Sequence, residues 1–151
     1  MLHPLQLTNH AGQTAMKTSI PIRVYYEDTD SAGIVYYANY LRFIERGRTE
    51  FLRALGHDQN LLMKGGVAFA VRSVTAEYLK PAQLDDLLSV ETAIAKLGRA
   101  QLTFAQRILR GGELLLDAKI RIACIDPAAG RPIRIPPPIH AQLAALTKDS
   151  Q

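Results

Sequence analysis

Three carboxylates fall within four residues at Glu27, Asp28 and Asp30, in the stretch Tyr25-Tyr26-Glu27-Asp28-Thr29-Asp30-Ser31-Ala32-Gly33. Five tyrosines flank them: Tyr25 and Tyr26 before, Tyr36, Tyr37 and Tyr40 after. Such a cluster has two readings. One is a solvated acidic turn that also favours the dipole of the helix that follows. The other is catalytic. A loop entering a helix carries backbone N–H groups without partners, which polarise a carbonyl or bind an anion. A carboxylate a few residues upstream, folded back on the same point, adds a nucleophile or general base. One carboxylate and one amide are what thioester hydrolysis needs, because a thiolate leaves without a strong acid. The oxyanion donor would have to supply roughly 3 kcal/mol. Within the cluster Asp28 reads as an Asx-type turn contact, Glu27 as a solvent or strand-edge residue, and Asn39 as a helix cap or loop brace.

The other chemistry-bearing residues form no set. His3, His10, His57 and His140 have no metal-ligand spacing, so no metal site is expected. No G-x-S-x-G elbow and no glycine-rich phosphate loop occurs, and no cofactor is implied. Cys124, the single cysteine, lies in an apolar stretch and reads as a buried, inert thiol. Lacking a partner for an internal disulfide, it points to a reducing, cytoplasmic compartment. The formal net charge of +4 suits an anionic ligand. The basic residues are scattered and not interleaved with aromatics, which argues against nucleic acid.

The elements that must hold the cluster follow from periodicity. Thr18 to Tyr26 alternates through Ile20, Ile22 and Val24 as a strand. The period then becomes helical from Tyr37 or Asn39 to Leu55, with Tyr40, Ile44, Gly47, Phe51 and Leu55 on one stripe. Arg46 with Glu50, and Glu50 with Arg53, are spaced to pair on its wet side, and Gly56 ends it. A short helix or irregular piece spans Asp58 to Met63. Strands are expected at Val67–Tyr78, Leu88–Leu97, Ala100–Leu109 and Leu114–Asp126, with hairpin-length links that include Gly98-Arg99 and Gly111-Gly112. In the last strand Leu114, Leu116, Ala118, Ile120, Ile122 and Cys124 share one face, while Asp117, Lys119 and Arg121 share the other. Pro132 to Pro138 is extended, and a short helix runs from Ile139 to Lys148.

One long helix and an antiparallel sheet, each with an apolar face, make an α+β domain over residues 18–148. Hydrophobic residues make up 48% of the chain, enough for one core without disulfide or metal. Residues 1–17 read as an irregular polar tail, with Met16 a possible alternative start. They lack the apolar centre of a signal peptide. Nothing approaches the roughly 18 consecutive apolar residues of a transmembrane segment.

The stretch Val24 to Glu50, VYYEDTDSAGIVYYANYLRFIERGRTE, resembles the hallmark of the YbgC-type, Tol-Pal-associated acyl-CoA thioesterases, within the broader 4-hydroxybenzoyl-CoA thioesterase family. The similarity continues through Ala68-Phe69-Ala70-Val71-Arg72, Tyr78-Leu79-Lys80-Pro81-Ala82, Leu84-Asp85-Asp86 and Cys124-Ile125-Asp126-Pro127, and covers about residues 20 to 140. The D-x-D-x-x-G run followed by Y-x-N-Y and a helix is its specific element. The resemblance implies a hotdog fold, a sheet wrapped around one long central helix. It also implies homodimers, often paired into homotetramers, with active sites at the dimer interface and an acyl-CoA as substrate. The family's catalytic aspartate matches Asp30, its backbone oxyanion donor matches Tyr37, and a tyrosine near the site matches Tyr26. Many YbgC-type members carry histidine where this chain has Tyr37, and tyrosine occurs there in the hydroxybenzoyl branch. Coenzyme A brings phosphates that basic side chains must meet. Arg99, and with it Lys96, are the choice for that role over Arg131 and Arg134.

Three functions are thus distinguished. The first is acyl-CoA hydrolysis. The second, suggested by the departure at Tyr37, is an adaptor module of the cell-envelope or lipid-synthesis machinery with weak or lost catalysis. The third is hydration of an enoyl thioester, which would need a histidine between Asn39 and Leu55, where there is none.

Overall fold

The computed structural model describes residues 6–10 and 13–147. The apolar stripe expected of the long helix is present in α1, Asn39–Ala54, whose buried face comprises Asn39, Tyr40, Phe43, Ile44, Gly47, Phe51 and Leu52. This stripe lies against strands β2 (Gln13–Arg23), β4 (Leu87–Leu97) and β5 (Gln101–Arg110). Each large side chain buried there contributes about 1.5–3 kcal/mol, and Phe51 meets Phe104 edge to face at 5.5 Å. Gly47 sets how closely helix and sheet approach. A Cβ there would lie 2.7 Å from Thr92 Oγ1 and 2.9 Å from Gln106 Nε2. Leu55, the last residue expected on the stripe, packs half-buried against the core and ends the helix, and Gly56 follows with φ +95°. Glu50 pairs with Arg53 at 3.2 Å, whereas the Arg46 guanidinium sits over the Phe43 ring, 5.9 Å from its centroid.

The sheet is antiparallel throughout, in the order β1-β2-β4-β5-β6-β3, with β1 at Gln6–His10, β3 at Ala68–Tyr78 and β6 at Glu113–Asp126. It curls around α1 in the hotdog arrangement. In β6, Leu116, Ala118, Ile120, Ile122 and Cys124 are buried, and Lys119 and Arg121 are exposed, as alternation required. Leu114 and Asp117, however, are half-buried, and Leu115 and Ala123, on the other parity, are buried as well, the register shifting opposite Leu114. The buried apolar side chains form one core cluster.

Four expectations need correction. Residues 1–17 were read as irregular, yet Gln6–His10 and Gln13–Lys17 pair as antiparallel strands, from Gln6↔Lys17 to His10↔Gln13. Backbone pairing at a sheet edge needs no apolar alternation, so the pattern did not register it; residues 1–5 lie outside the described residues. The first strand ends at Arg23, not Tyr26, because Tyr26–Asp28 coil into a 3-10 turn. The strands after α1 are not all joined by hairpins: β3 pairs with β6, and the segment from Leu79 to Asp86 carries the chain across to β4. Finally, the C-terminal helix α3 begins at Pro137 and runs to Thr147. Proline is compatible with a first helical turn, where its missing N–H is not needed. Lys148 is outside the described residues. Two short elements complete the chain, α2 (Gln59–Lys64), capped by the Asp58 carboxylate on Asn60 N and Leu61 N, and β7 (Arg131–Pro132).

Candidate active site

The loop between β2 and α1 is clamped at both ends. Val24, fully buried, donates its N–H to Asp86 O and accepts from Asp85 N at the start of β4. Asp28 is buried and uses both carboxylate oxygens: Oδ2 accepts from Tyr25 N and Oδ1 from Asn39 Nδ2, each at 2.8 Å. It is therefore a brace tying the end of β2 to the first residue of α1, which is the turn role expected of it, and Asn39 is the other half of that brace.

Beyond Asp28 the chain makes a narrow excursion. Thr29 pairs with Val35, and Ile34 with Gln83. Asp30 N donates to Ile34 O at 2.9 Å, and Gly33 N closes a turn onto Asp30 O at 3.0 Å. Gly33 has φ +80°, a conformation that disfavours any side chain. Asp30 is thereby fixed at the tip of a braced loop and exposed on one chain. Its Oδ1 accepts from Ala32 N at 2.8 Å; its Oδ2 has no partner among the described residues. Asp30 pairs with Ile34 across this excursion, so only Val35 and Tyr36 separate its backbone partner from Tyr37.

At the helix entrance Tyr36 N donates to Asp28 O and Asn39 N to Tyr36 O. No side chain caps α1, and the Tyr37 N–H has no hydrogen-bond partner among the described residues. It is a free donor at a helix N-terminus. Around it stands an aromatic wall. Tyr37 meets Tyr36 at 5.0 Å and Tyr78 at 6.4 Å between centroids, and Tyr78 meets Tyr40 at 5.4 Å. The Tyr78 hydroxyl donates to Tyr37 O at 3.2 Å, and the Tyr40 hydroxyl accepts from Ala82 N at 2.9 Å. Burial, foremost, pushes both phenols above their usual range, so they remain protonated at neutral pH. Tyr26 is 83% exposed and its carbonyl accepts from Thr29. Sequence reasoning gave Tyr78 no role at the site; it appears only as the last residue of a strand and within the stretch of family resemblance that runs to Ala82.

Lys96 and Arg99 stand elsewhere. They line a cleft of about 430 Å³ at the β4–β5 turn, together with Arg121 and with no carboxylate in the lining. The Asp30 loop contacts the opposite end of β4, at Asp85 and Asp86. At about 3.3 Å per residue the eleven residues of β4 span roughly 35 Å. Within one chain the two halves of the expected site therefore stay apart. Arg131 is exposed on β7, and Arg134 accepts at its backbone carbonyl from the Cys124 thiol, 4.0 Å away.

Sequence reasoning also missed a buried polar network under α1. Gln106, fully buried, donates from Nε2 to Ile44 O and to Thr92 Oγ1, both at 2.8 Å, and its Oε1 accepts from Arg48 at 3.0 Å. A glutamine at an inward position of an apolar strand was the available signal. Cys124 is buried as expected, and burial raises its thiol pKa. Among the described residues no group of His, Cys, Asp or Glu is arranged to hold a metal, and no helix is long and apolar enough to cross a membrane.

Residues 24–143 match the family model of the thioesterase-like superfamily. The acyl-CoA thioester hydrolase YbgC of Escherichia coli O6:H1 is 46% identical over 123 residues, covering 81% of this chain and 92% of that protein. The acyl-CoA thioesterase YbgC of Haemophilus influenzae is 44% identical over 124 residues, covering 82% and 91%. Among solved structures, a probable thioesterase from Bartonella henselae superposes with a TM-score of 0.77 at 42% identity, covering 80% of this chain and 99% of that one.

Proposed function

This chain belongs to the thioesterase-like superfamily, in its YbgC-type branch, and is a thioesterase; from that premise we propose that it hydrolyses acyl-CoA to a free acid and coenzyme A, with Asp30 as the reacting carboxylate and the Tyr37 N–H as oxyanion donor. The observation that supports this reading is that one braced loop carries both an Asp30 Oδ2 and a Tyr37 N–H without partners among the described residues. As the thioester carbonyl is attacked, by the carboxylate itself or by a water it deprotonates, negative charge gathers on the carbonyl oxygen. A backbone donor fixed before the reaction stabilises that charge without reorganising. The thiolate then departs and is protonated by solvent. If the carboxylate attacked, water hydrolyses the resulting anhydride. Tyr26 supplies a hydroxyl at the mouth of the site. No cofactor enters.

The working unit of this reading is a homodimer. β3 is an edge strand with no fully buried residue. Its apolar inner face is uncovered, with Val71 50%, Val74 40% and Tyr78 47% exposed. Such an edge is a template for pairing with a second chain. Antiparallel pairing of two β3 strands about a two-fold axis near Ser73 sets the Tyr78 end of one against the Ala68 end of the other. The Asp30 loop docks near the Tyr78 end, while Lys96 and Arg99 lie at the Ala68 end. The partner's Lys96 and Arg99 thus meet the phosphates of the coenzyme A whose thioester sits at Asp30, and the separation within one chain disappears.

Thiol release from short, long and aromatic acyl-CoAs, by the native protein and by Asp30→Asn, tests the reading. It requires turnover of at least one thioester and its loss in the variant. Unaffected turnover in Asp30→Asn would remove the catalytic assignment. Silence across the whole panel would favour the adaptor reading that Tyr37 suggests.

A further inference from the structure

Arg48 lies on the third turn of α1, half-buried, at the wall of a cavity of about 80 Å³ whose rim also carries Glu45, Thr49 and Gln59 and whose remaining lining is apolar, among it Phe69, Leu102, Phe104 and Ile122. One of its terminal nitrogens donates to Gln106 Oε1. The Gln106 amide cannot turn over, because Nε2 is committed to Ile44 O and Thr92 Oγ1. The guanidinium is therefore held by one corner. Its remaining edge, Nε with the other terminal nitrogen, has no partner among the described residues. Among the described residues no carboxylate is ion-paired with it; Glu45, exposed three residues earlier on the same helix and itself at the cavity, is the charge that acts on it. Burial lowers the Arg48 pKa and Glu45 opposes that shift, yet an arginine remains charged at neutral pH. A cationic fork with a free edge at the wall of a mainly apolar cavity can receive a carboxylate, which takes two parallel hydrogen bonds from such an edge, while Glu45 at the rim is exposed and free to turn to solvent.

We propose that Arg48 binds the far end of the acyl group and that the preferred substrates are thioesters of dicarboxylic acids, whose free carboxylate docks on the guanidinium. The inference rests on the acyl-CoA reading and its two-fold dimer. Phe69, on the cavity wall, and Tyr78, beside Tyr37, are nine residues apart on β3, too far for one chain to use both. In the antiparallel dimer the cavity of one subunit opens beside the Asp30 loop of the other. Its size selects further. An apolar cavity of about 150 Å³, nearly twice this one, takes a benzene ring, and liquid water occupies about 30 Å³ per molecule. The space beside Arg48 accordingly takes a carboxylate and about one methylene, and no aromatic ring.

The test compares kcat/KM within pairs matched in length: glutaryl-CoA against pentanoyl-CoA, and adipoyl-CoA against hexanoyl-CoA. The native enzyme is expected to favour the carboxylated member of at least one pair by about tenfold or more, the range of a charge-assisted hydrogen bond. Arg48→Met, similar in length but uncharged, is expected to bring that ratio to about one or below, and Arg48→Lys, a charge without a fork, to an intermediate value. A native enzyme that hydrolyses pentanoyl-CoA or hexanoyl-CoA and disfavours both carboxylated partners overturns the proposal. So does an Arg48→Met enzyme that retains the preference. The native ratios decide the matter even if the variants fail to fold. An enzyme inert toward all four, and toward the wider acyl-CoA panel, would instead sink the acyl-CoA reading on which the proposal stands.

Discussion

Asp28 and Asn39 are joined by a buried 2.8 Å hydrogen bond that spans eleven residues and closes the loop carrying Asp30. Because the second Asp28 oxygen accepts from Tyr25 N, the carboxylate satisfies one group on each side of the loop. Asp28→Asn leaves one buried donor without its acceptor, at a cost of about 1–3 kcal/mol. Thermal or urea unfolding of Asp28→Asn should register that loss. An unchanged midpoint would show that the brace is not needed.

Asp30→Asn should behave in the opposite way. Asp30 is exposed, and its one side-chain contact, from Ala32 N to Oδ1, is also available to an amide oxygen. Its unfolding midpoint should stay within about 1 kcal/mol of the native protein, while kcat for a turned-over acyl-CoA falls by about 10²–10⁴. The two neighbouring aspartates then separate cleanly, one by stability and one by rate. Loss of stability in Asp30→Asn with no fall in kcat would invert their roles.

These two carboxylates also mark how far the sequence could be read. Asp28 and Asp30 were separable because turn formers and a change of hydrophobic period framed them, and because the flanking Y-x-N-Y resembled a known pattern. β6 and α1 were legible because each repeats one period over ten or more residues. Strand order was not: nothing in the composition of β3 tells that it lies beyond β6 and not beside β4. Lys96 and Arg99 could be chosen as basic residues near a turn, but their distance from Asp30 follows only from that order. Arg48 went unremarked for a related reason. On a helical wheel it falls at the edge of the buried stripe, four residues from both Ile44 and Leu52, and what engages its charge there, the inward-facing Gln106, lies on another strand.

Gly47 supplies a stability test of the same network. An alanine Cβ would meet Thr92 Oγ1 at 2.7 Å and Gln106 Nε2 and Val90 Cγ1 at 2.9 Å. All three belong to packed strands, and two are engaged in the buried hydrogen bonds. The gain in helix propensity on replacing glycine, about 1 kcal/mol, is smaller than the overpacking and hydrogen-bond disruption of about 1–3 kcal/mol or more. Gly47→Ala should therefore be destabilised in chemical denaturation, against the usual direction for a glycine within a helix. A stabilised variant would mean that α1 can lift from the sheet at little cost.

The proposal that one site draws Asp30 from one subunit and Lys96 with Arg99 from its partner makes a prediction that no single-chain arrangement shares. Asp30→Asn homodimers lack the reacting carboxylate at both sites. Lys96→Ala/Arg99→Ala homodimers lack the phosphate contacts at both, and should raise KM more than they lower kcat. Mixing the two chains under conditions that exchange subunits yields heterodimers in which one site is doubly defective and the other is wholly native. With random assortment half of the dimers are mixed and one site in two is intact, so about a quarter of native activity should return. If each site were built within one chain, every site in the mixture would carry one defect or the other, and nothing would be regained beyond the average of the parents. Assays at an acyl-CoA concentration well below the KM of the double variant give the widest separation between these outcomes. A mixture that never rises above the parental average, although exchange is verified by mass, would rule out the shared site.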